Sequence, residues 1–279
     1  MVSFPNCKIN LGLKILRKRP DGYHDLSTIF YPLPLHDVLE ILHAPENSFT
    51  AYGIPIPSNG NANPTPIPGA ANGNLCEQAW LLLKADFPAL PNVQLHLYKN
   101  IPIGAGLGGG SADGAFTLLA LNKQFHLGLD TPALIDYAAQ LGSDCPFFIL
   151  NIPSLGGGRG EQLEPIPLDL SAYRFILVNP GIHISTAQAF GLCTPRETGM
   201  PLRDIIRQPM ATWSGSLVND FEEPVFRLHP RLREIKETLY AHGAVYASLT
   251  GSGSSFYGIF ERAGTPASLP LSWNYRTLP

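Results

Sequence analysis

Apolar and polar positions alternate from residue 9 to residue 15. Ile9, Leu11, Leu13 and Ile15 take one side, and Asn10, Gly12 and Lys14 the other. A period of two predicts a β-strand with two unlike faces. Pro20-Asp21-Gly22 predicts a turn, and residues 38–42 a second strand. Val93, Leu95 and Leu97 alternate with Gln94, His96 and Tyr98 to predict a third. The period lengthens after Asn74, which opens a helical run through Trp80 and Leu83. Another helix is predicted over 111–124. The next opens at Thr131-Pro132, an N-cap and first-turn pair, with Leu134, Ala138 and Leu141 on one face and Gly142 as its stop. Downstream, 175–178 predicts a short buried strand. Residues 230–242 predict a helix with Leu232, Ile235 and Leu239 on one face, closed by Gly243. Two more strands, 244–249 and 256–260, flank a loop over 250–255. Residues 57–74, crowded with Pro, Asn and Gly, predict a loop, and 155–158 suits a crossover between domains. No internal repeat is present. The mixture of helices with alternating strands predicts α+β layers in which a sheet keeps one solvated face.

Composition narrows the function classes. The 279 residues suffice for one large domain or two modest ones, 44% are hydrophobic and 15% charged, and the formal net charge is −3. That is an ordinary globular chain without the basic field of a nucleic-acid binder. The cysteines at 7, 76, 145 and 193 form no C-x-x-C pair, so free thiols in a reducing cytoplasm are expected. The start, MVSFPNCKIN, lacks the pattern of a signal peptide, and no apolar run approaches the ~18 residues of a membrane span.

The strongest chemical signal is Pro102-Ile103-Gly104-Ala105-Gly106-Leu107-Gly108-Gly109-Gly110-Ser111-Ala112-Asp113. Glycines let the backbone approach a bulky anion with its N–H groups, and the helix that follows adds its dipole. Ser111 could bind a phosphate oxygen or a metal. The bland alternative is a flexible linker. The embedded G-x-G-x-x-G is weak by itself, because a helix starts near Asp130 where a dinucleotide fold needs a strand ending in an acid. No Gly-Lys-Ser/Thr follows, which excludes a Walker loop, and the H-R-D and D-F-G motifs of protein kinases are absent.

Three further segments look specific: Pro5-Asn6-Cys7-Lys8-Ile9-Asn10-Leu11 with Asp21-Gly22-Tyr23-His24; Gly142-Ser143-Asp144-Cys145-Pro146-Phe147-Phe148; and Leu249-Thr250-Gly251-Ser252-Gly253-Ser254-Ser255. Singly, each has a plain reading as a strand face, a post-helix turn, a hairpin loop or a surface histidine. In this order, with the glycine loop, they resemble the GHMP kinases, and the resemblance runs over nearly the whole chain. Asn219-Asp220-Phe221-Glu222 fits the same branch. The resemblance implies a two-domain α+β fold. An N-terminal ribosomal S5 domain 2-like domain over 1–153 would carry the phosphate loop, and a ferredoxin-like C-terminal domain would cover 154–279. It implies ATP with Mg²⁺, and phosphorylation of the 2-hydroxyl of 4-(cytidine 5′-diphospho)-2-C-methyl-D-erythritol. Lys8 and Asp144 match catalytic positions. Residues 102–112 match the ATP phosphate loop, and Asn74 and Lys99 match positions beside the adenine. Asn10, Tyr23, His24, Thr186 and Phe190 match substrate positions, with Tyr23 and Phe190 sandwiching the cytosine. The implied partner is a small molecule bearing cytidine diphosphate, with no nucleic acid or membrane, and the chain a monomer or weak homodimer in the cytoplasm. A homoserine- or mevalonate-type kinase, and a non-catalytic nucleotide binder, remain the alternatives.

Overall fold

The computed structural model describes residues 1–56, 74–197, 199–266, 268–270 and 273–279. The proline- and glycine-rich loop expected over 57–74 lies, apart from Asn74, outside the described residues.

In chain order the elements are β1 (Val2–Ser3), β2 (Asn6–Lys18), β3 (His24–His36), β4 (Val38–His43), β5 (Ser48–Gly53), α1 (Leu75–Asp86), β6 (Val93–Lys99), α2 (Gly109–Gln124), α3 (Thr131–Leu141) and α4 (Cys145–Leu150). Then follow β7 (Ser154–Gly157), β8 (Gln162–Pro165), β9 (Tyr173–Asn179), α5 (Thr186–Leu192), α6 (Leu202–Ile205), α7 (Glu222–Leu228), α8 (Leu232–Ala241), β10 (Tyr246–Leu249), β11 (Phe256–Glu261) and β12 (Asn274–Leu278). The class is α+β. Among the described residues, three four-stranded sheets run β1-β4-β6-β5, β2-β3-β7-β8 and β10-β11-β9-β12.

The chain forms two compact units, each assembled from separated stretches. The first holds Met1–Cys7, Leu35–Ile103 and Gly108–Ile152; the second holds Lys8–Pro34, Gly104–Leu107 and Pro153–Pro279. In the first, α2 packs against α1, α3 and α4 and reaches β4. Leu39 and Ile41 of β4 and Leu95 and Leu97 of β6 are fully buried, whereas Tyr98 is exposed, so this sheet has the two unlike faces that alternation predicts. In the second, Leu232, Ile235 and Leu239 of α8 share a core with Ile176 and Val178 of β9 and Phe256 and Phe260 of β11.

Two expectations are corrected. At Asn10 and Gly12 the polar side of β2 does not face water: Asn10 is 1% exposed, and Gly12 packs against Leu202 and Leu217. The N-cap of α3 is Asp130, one residue before Thr131, because its carboxylate accepts from Ala133 N at 3.0 Å. By contrast, Asn74 caps α1 as expected. Its Oδ1 accepts from Cys76 N, and Glu77 returns the bond to Asn74 N.

Asn219-Asp220-Phe221-Glu222 has a structural role. Asn219 Nδ2 donates to Leu249 O and Gly251 O at 3.0 and 2.9 Å, and Phe221 N donates to Asn219 Oδ1. Asp220 accepts from Ile15 N, and Glu222 accepts from Ser248 Oγ, Leu249 N and Lys236 Nζ. The motif therefore ties β2 and β10 to α7. Asn219 is fully buried, so truncating it strands a backbone donor and two acceptors away from water. Asn219→Ala is expected to lower the unfolding free energy by roughly 2–4 kcal/mol. A urea-denaturation midpoint within error of wild type contradicts this.

Candidate active site

The glycine loop is held through its carbonyls. Ala105 O accepts from Ser255 N, Gly106 O from Thr250 Oγ1 at 3.1 Å, and Leu107 O from Lys8 N at 2.9 Å. Gly106 has φ +78°, and a Cβ built on it would stand 2.0 Å from Thr250 O, so only glycine fits. After Gly108, also left-handed, α2 begins with no side-chain cap and no acidic residue in its first turn. A 16-residue helix starting this way leaves a positive dipole end and uncapped N–H groups at its first turn, and an anion suits them.

Lys8 enters from β2 and is almost fully buried. Its ammonium donates to Asn10 Oδ1 at 2.7 Å and lies 5.2 Å from the centre of the Phe30 ring. Asn10 Oδ1 also accepts from Gly251 N, and Asn10 Nδ2 donates to Thr28 Oγ1. Asn10, expected to hold substrate, has its amide bonded inside the protein, where it orients the lysine and the Thr250-Gly251 turn. Asp144 belongs to the first unit and precedes α4 without capping it. Beside it, the Cys145 thiol is pushed up to about 12, mainly by burial, with a hydrogen bond to Ser111 pulling the other way. Ser111 on α2 is thereby brought to the neighbour of Asp144.

The aromatic residues are arranged differently from the expected sandwich. Phe190 stacks on His24, with centroids 4.7 Å apart and planes 17° from parallel, and meets Phe221 edge-on at 4.8 Å. Tyr23 is more than half exposed and lies under the guanidinium of Arg159 at 5.0 Å. The cause is the turn: Asp21 accepts from Tyr23 N and binds Arg19, which holds Tyr23 outward as His24 enters β3. Burial, and next the charge of Lys18, lower the pKa of His24, which favours the neutral ring. Thr186 Oγ1 meets Ser252 Oγ at 3.0 Å, which joins the start of α5 to the Thr250–Ser255 turn. His183, given no role from the sequence, packs on the loop: a Cβ on Gly104 would lie 3.3 Å from its Nδ1. Arg159 carries no motif signal, because tertiary folding alone brings it to Tyr23.

The Lys99 ammonium is enclosed by Asp37 and Asp113, with side chains 3%, 0% and 2% exposed. The Oδ1 of Asn74 is likewise committed to its helix cap.

The family profile for the N-terminal domain of GHMP kinases matches residues 74–151, and that for their C-terminal domain matches 202–275. The chain belongs to the GHMP kinases. Among relatives of this kinase, the 4-diphosphocytidyl-2-C-methyl-D-erythritol kinase of Bacteroides thetaiotaomicron is 47% identical over 95% of this chain and 94% of its own. That of Cytophaga hutchinsonii is 46% identical over 94% of this chain and 93% of its own. A crystal structure of 4-(cytidine 5′-diphospho)-2C-methyl-D-erythritol kinase superposes with a TM-score of 0.76 at 31% identity, covering 93% of this chain and 90% of that one. Streptococcus pneumoniae phosphomevalonate kinase shares the fold, with a TM-score of 0.68 at 12% identity over 94% of this chain and 92% of its own. As a GHMP kinase, the protein uses ATP.

Gly106→Ala puts a methyl into the Thr250 carbonyl and costs left-handed strain besides. Nucleotide affinity is expected to fall at least ~10-fold, the equivalent of about 1.4 kcal/mol, with the circular dichroism spectrum retained. Unchanged ATP affinity by calorimetry contradicts a phosphate role for the loop.

Proposed function

We propose that the chain transfers the γ-phosphoryl group of ATP to the 2-hydroxyl of 4-(cytidine 5′-diphospho)-2-C-methyl-D-erythritol, giving the 2-phosphate and ADP on the methylerythritol phosphate route to isoprenoid precursors. The observation that carries this is similarity across 95% of the chain, at 47% identity, to a relative that bears that kinase's name. In this reading the substrate oxygen attacks the γ-phosphorus in line, its proton passes to Asp144, and the bond to the β–γ bridging oxygen breaks with its electron pair leaving on ADP. Lys8 orients the hydroxyl. The loop at 102–112 and the start of α2 hold the phosphates and stabilise the charge spreading over them. Phosphoryl transfer is served chiefly by such positioning and charge stabilisation.

Mg²⁺ accompanies ATP in the proposal. In such sites it is held through one or two carboxylates and the phosphates. The Asp144 carboxylate and the Ser111 hydroxyl are hard oxygen donors that fit it. When bound, the ion supplies counter-charge to the phosphate oxygens. Tyr23, His24, Thr186 and Phe190 form the proposed cytidyl site. The stack of His24 on Phe190 supports this reading, since each ring is an aromatic surface on which a base can stack. The chain acts on this small molecule in the cytoplasm as a monomer or weak homodimer.

Asp144→Asn keeps the shape and removes the proton acceptor. Turnover is expected to fall about 10²- to 10⁴-fold, with ATP binding kept. Near-wild-type ADP release contradicts the assignment. Phe190→Ala is expected to raise KM for the cytidyl substrate by roughly 5- to 150-fold, from ~1–3 kcal/mol of lost stacking, and to leave KM for ATP unchanged. Homoserine and mevalonate serve as control acceptors, and turnover of either in preference to the cytidyl compound overturns the proposed substrate.

A further inference from the structure

His183 lies outside the residues assigned to chemistry, yet the fold fixes it against the glycine loop. The chain over 182–186 is tied to the Thr250–Ser255 turn at every second residue. Ser254 Oγ donates to Ile182 O, Ile184 packs on Gly253, where a Cβ would stand 3.1 Å from its Cδ1, and Thr186 Oγ1 meets Ser252 Oγ at 3.0 Å. The same turn holds the loop, through Ser255 N to Ala105 O at 3.2 Å and Thr250 Oγ1 to Gly106 O at 3.1 Å. Residues 104–107, 182–186 and 250–255 all belong to the second unit. One anchored turn therefore sets both the loop and the segment that carries His183.

Between these ties the imidazole is exposed and rests on Gly104. A Cβ on that glycine would stand 3.3 Å from His183 Nδ1 and 3.6 Å from its Cε1, so a ring nitrogen sits at the loop's surface. Among the described residues neither ring nitrogen has a hydrogen-bond partner in the protein. The loop itself is poor in side-chain nitrogen. Residues 102–113 contain no Lys, Arg or His, and they end on an acid, Asp113. The carbonyls of 105–107 are turned to Ser255, Thr250 and Lys8 N. What the loop offers an anion is thus backbone N–H groups and the Ser111 hydroxyl. A triphosphate presents more acceptor oxygens than these satisfy. An imidazole always carries at least one N–H, and hydrogen bonds to an ionised phosphate are among the stronger ones.

We propose that His183 is a further nucleotide-binding residue, donating a ring N–H to a phosphate oxygen of ATP at the Gly104 end of the loop. This rests on the reading that the loop takes ATP's phosphates. The test is calorimetric affinity for a non-hydrolysable ATP analogue and for adenosine. Wild type is compared with His183→Phe, His183→Asn and His183→Gln, each with its denaturation midpoint. His183→Phe keeps a flat ring against Gly104 and removes both nitrogens. Its affinity for the analogue is expected to fall about 10-fold, with affinity for adenosine unchanged. Asn and Gln carry an amide nitrogen near the places of Nδ1 and Nε2, and one of them is expected to bind the analogue within about 3-fold of wild type. KM for the cytidyl substrate at saturating ATP is expected to stay the same in all three. A folded His183→Phe with wild-type affinity for the analogue overturns the proposal. So does an equal loss for analogue and adenosine, which is what a packing role gives, and so does a loss that neither amide repairs. A raised KM for the cytidyl substrate with ATP affinity kept places His183 on the other substrate's phosphates and overturns it too. Gly106→Ala is the control for the loop. If that variant binds the analogue normally, the loop reading fails and this inference with it. Loss in Gly106→Ala without loss in His183→Phe overturns this inference alone.

Discussion

The side-chain amide of Asn10 is the interaction on which much of the second unit's chemistry depends. One buried oxygen accepts from the Lys8 ammonium and from Gly251 N, while the nitrogen donates to Thr28 on the neighbouring strand. An amide can do this because it carries both acceptor and donor on one rigid plane. The lysine, the strand and the Thr250–Ser255 turn are thereby fixed relative to one another. That turn in turn accepts the glycine loop, through Thr250 Oγ1 to Gly106 O and Ser255 N to Ala105 O. Removing the amide would take one hydrogen-bond partner from the buried Lys8 ammonium and break its link to the Thr250–Ser255 turn.

A second feature of the molecule is that its buried polar groups lie along the paths that hold loops. Asn219 and Glu222 satisfy backbone groups of β10 and the turn after it, and Asp37 satisfies those that enter the glycine loop. Loops rich in glycine lose more backbone freedom on ordering than other segments. Side-chain acceptors anchored in strands supply the restraint that glycine cannot. The glycines provide close approach, and neighbouring buried acids and amides provide the fixed position.

Much of the fold was legible in the sequence wherever one face of an element is buried and the other wet. The helices near 75, 109 and 232 and the strands around 38, 93, 175, 246 and 256 follow from hydrophobic period and capping residues. Strand β3 was not legible, because its prolines at 32 and 34 and its polar entry at His24 blur the alternation. Strand β12 was hidden for another reason. It lies at the edge of its sheet against β9, and only Leu278 is fully buried, so little hydrophobic pattern is required of it.

The candidate site divides in the same way. Residue types and spacing were enough to pick out the glycine loop, because close backbone approach to phosphate needs glycine, whereas Lys8, Asp144 and the Asp21-Gly22-Tyr23-His24 turn were picked out by the resemblance to the GHMP kinases. What each polar side chain touches was decided by the tertiary structure. Lys99 and Asn10 look like ligand-facing residues in the sequence and are internal in the fold, held by Asp37, Asp113, Thr28 and Gly251. Phe190 looks like a partner for Tyr23 and rests on His24. Local sequence sets conformation through propensities acting over a few residues. Hydrogen-bond and ring partners such as Asn10 with Gly251 or Lys99 with Asp37 are 241 and 62 positions apart, and only the packed chain brings them within reach.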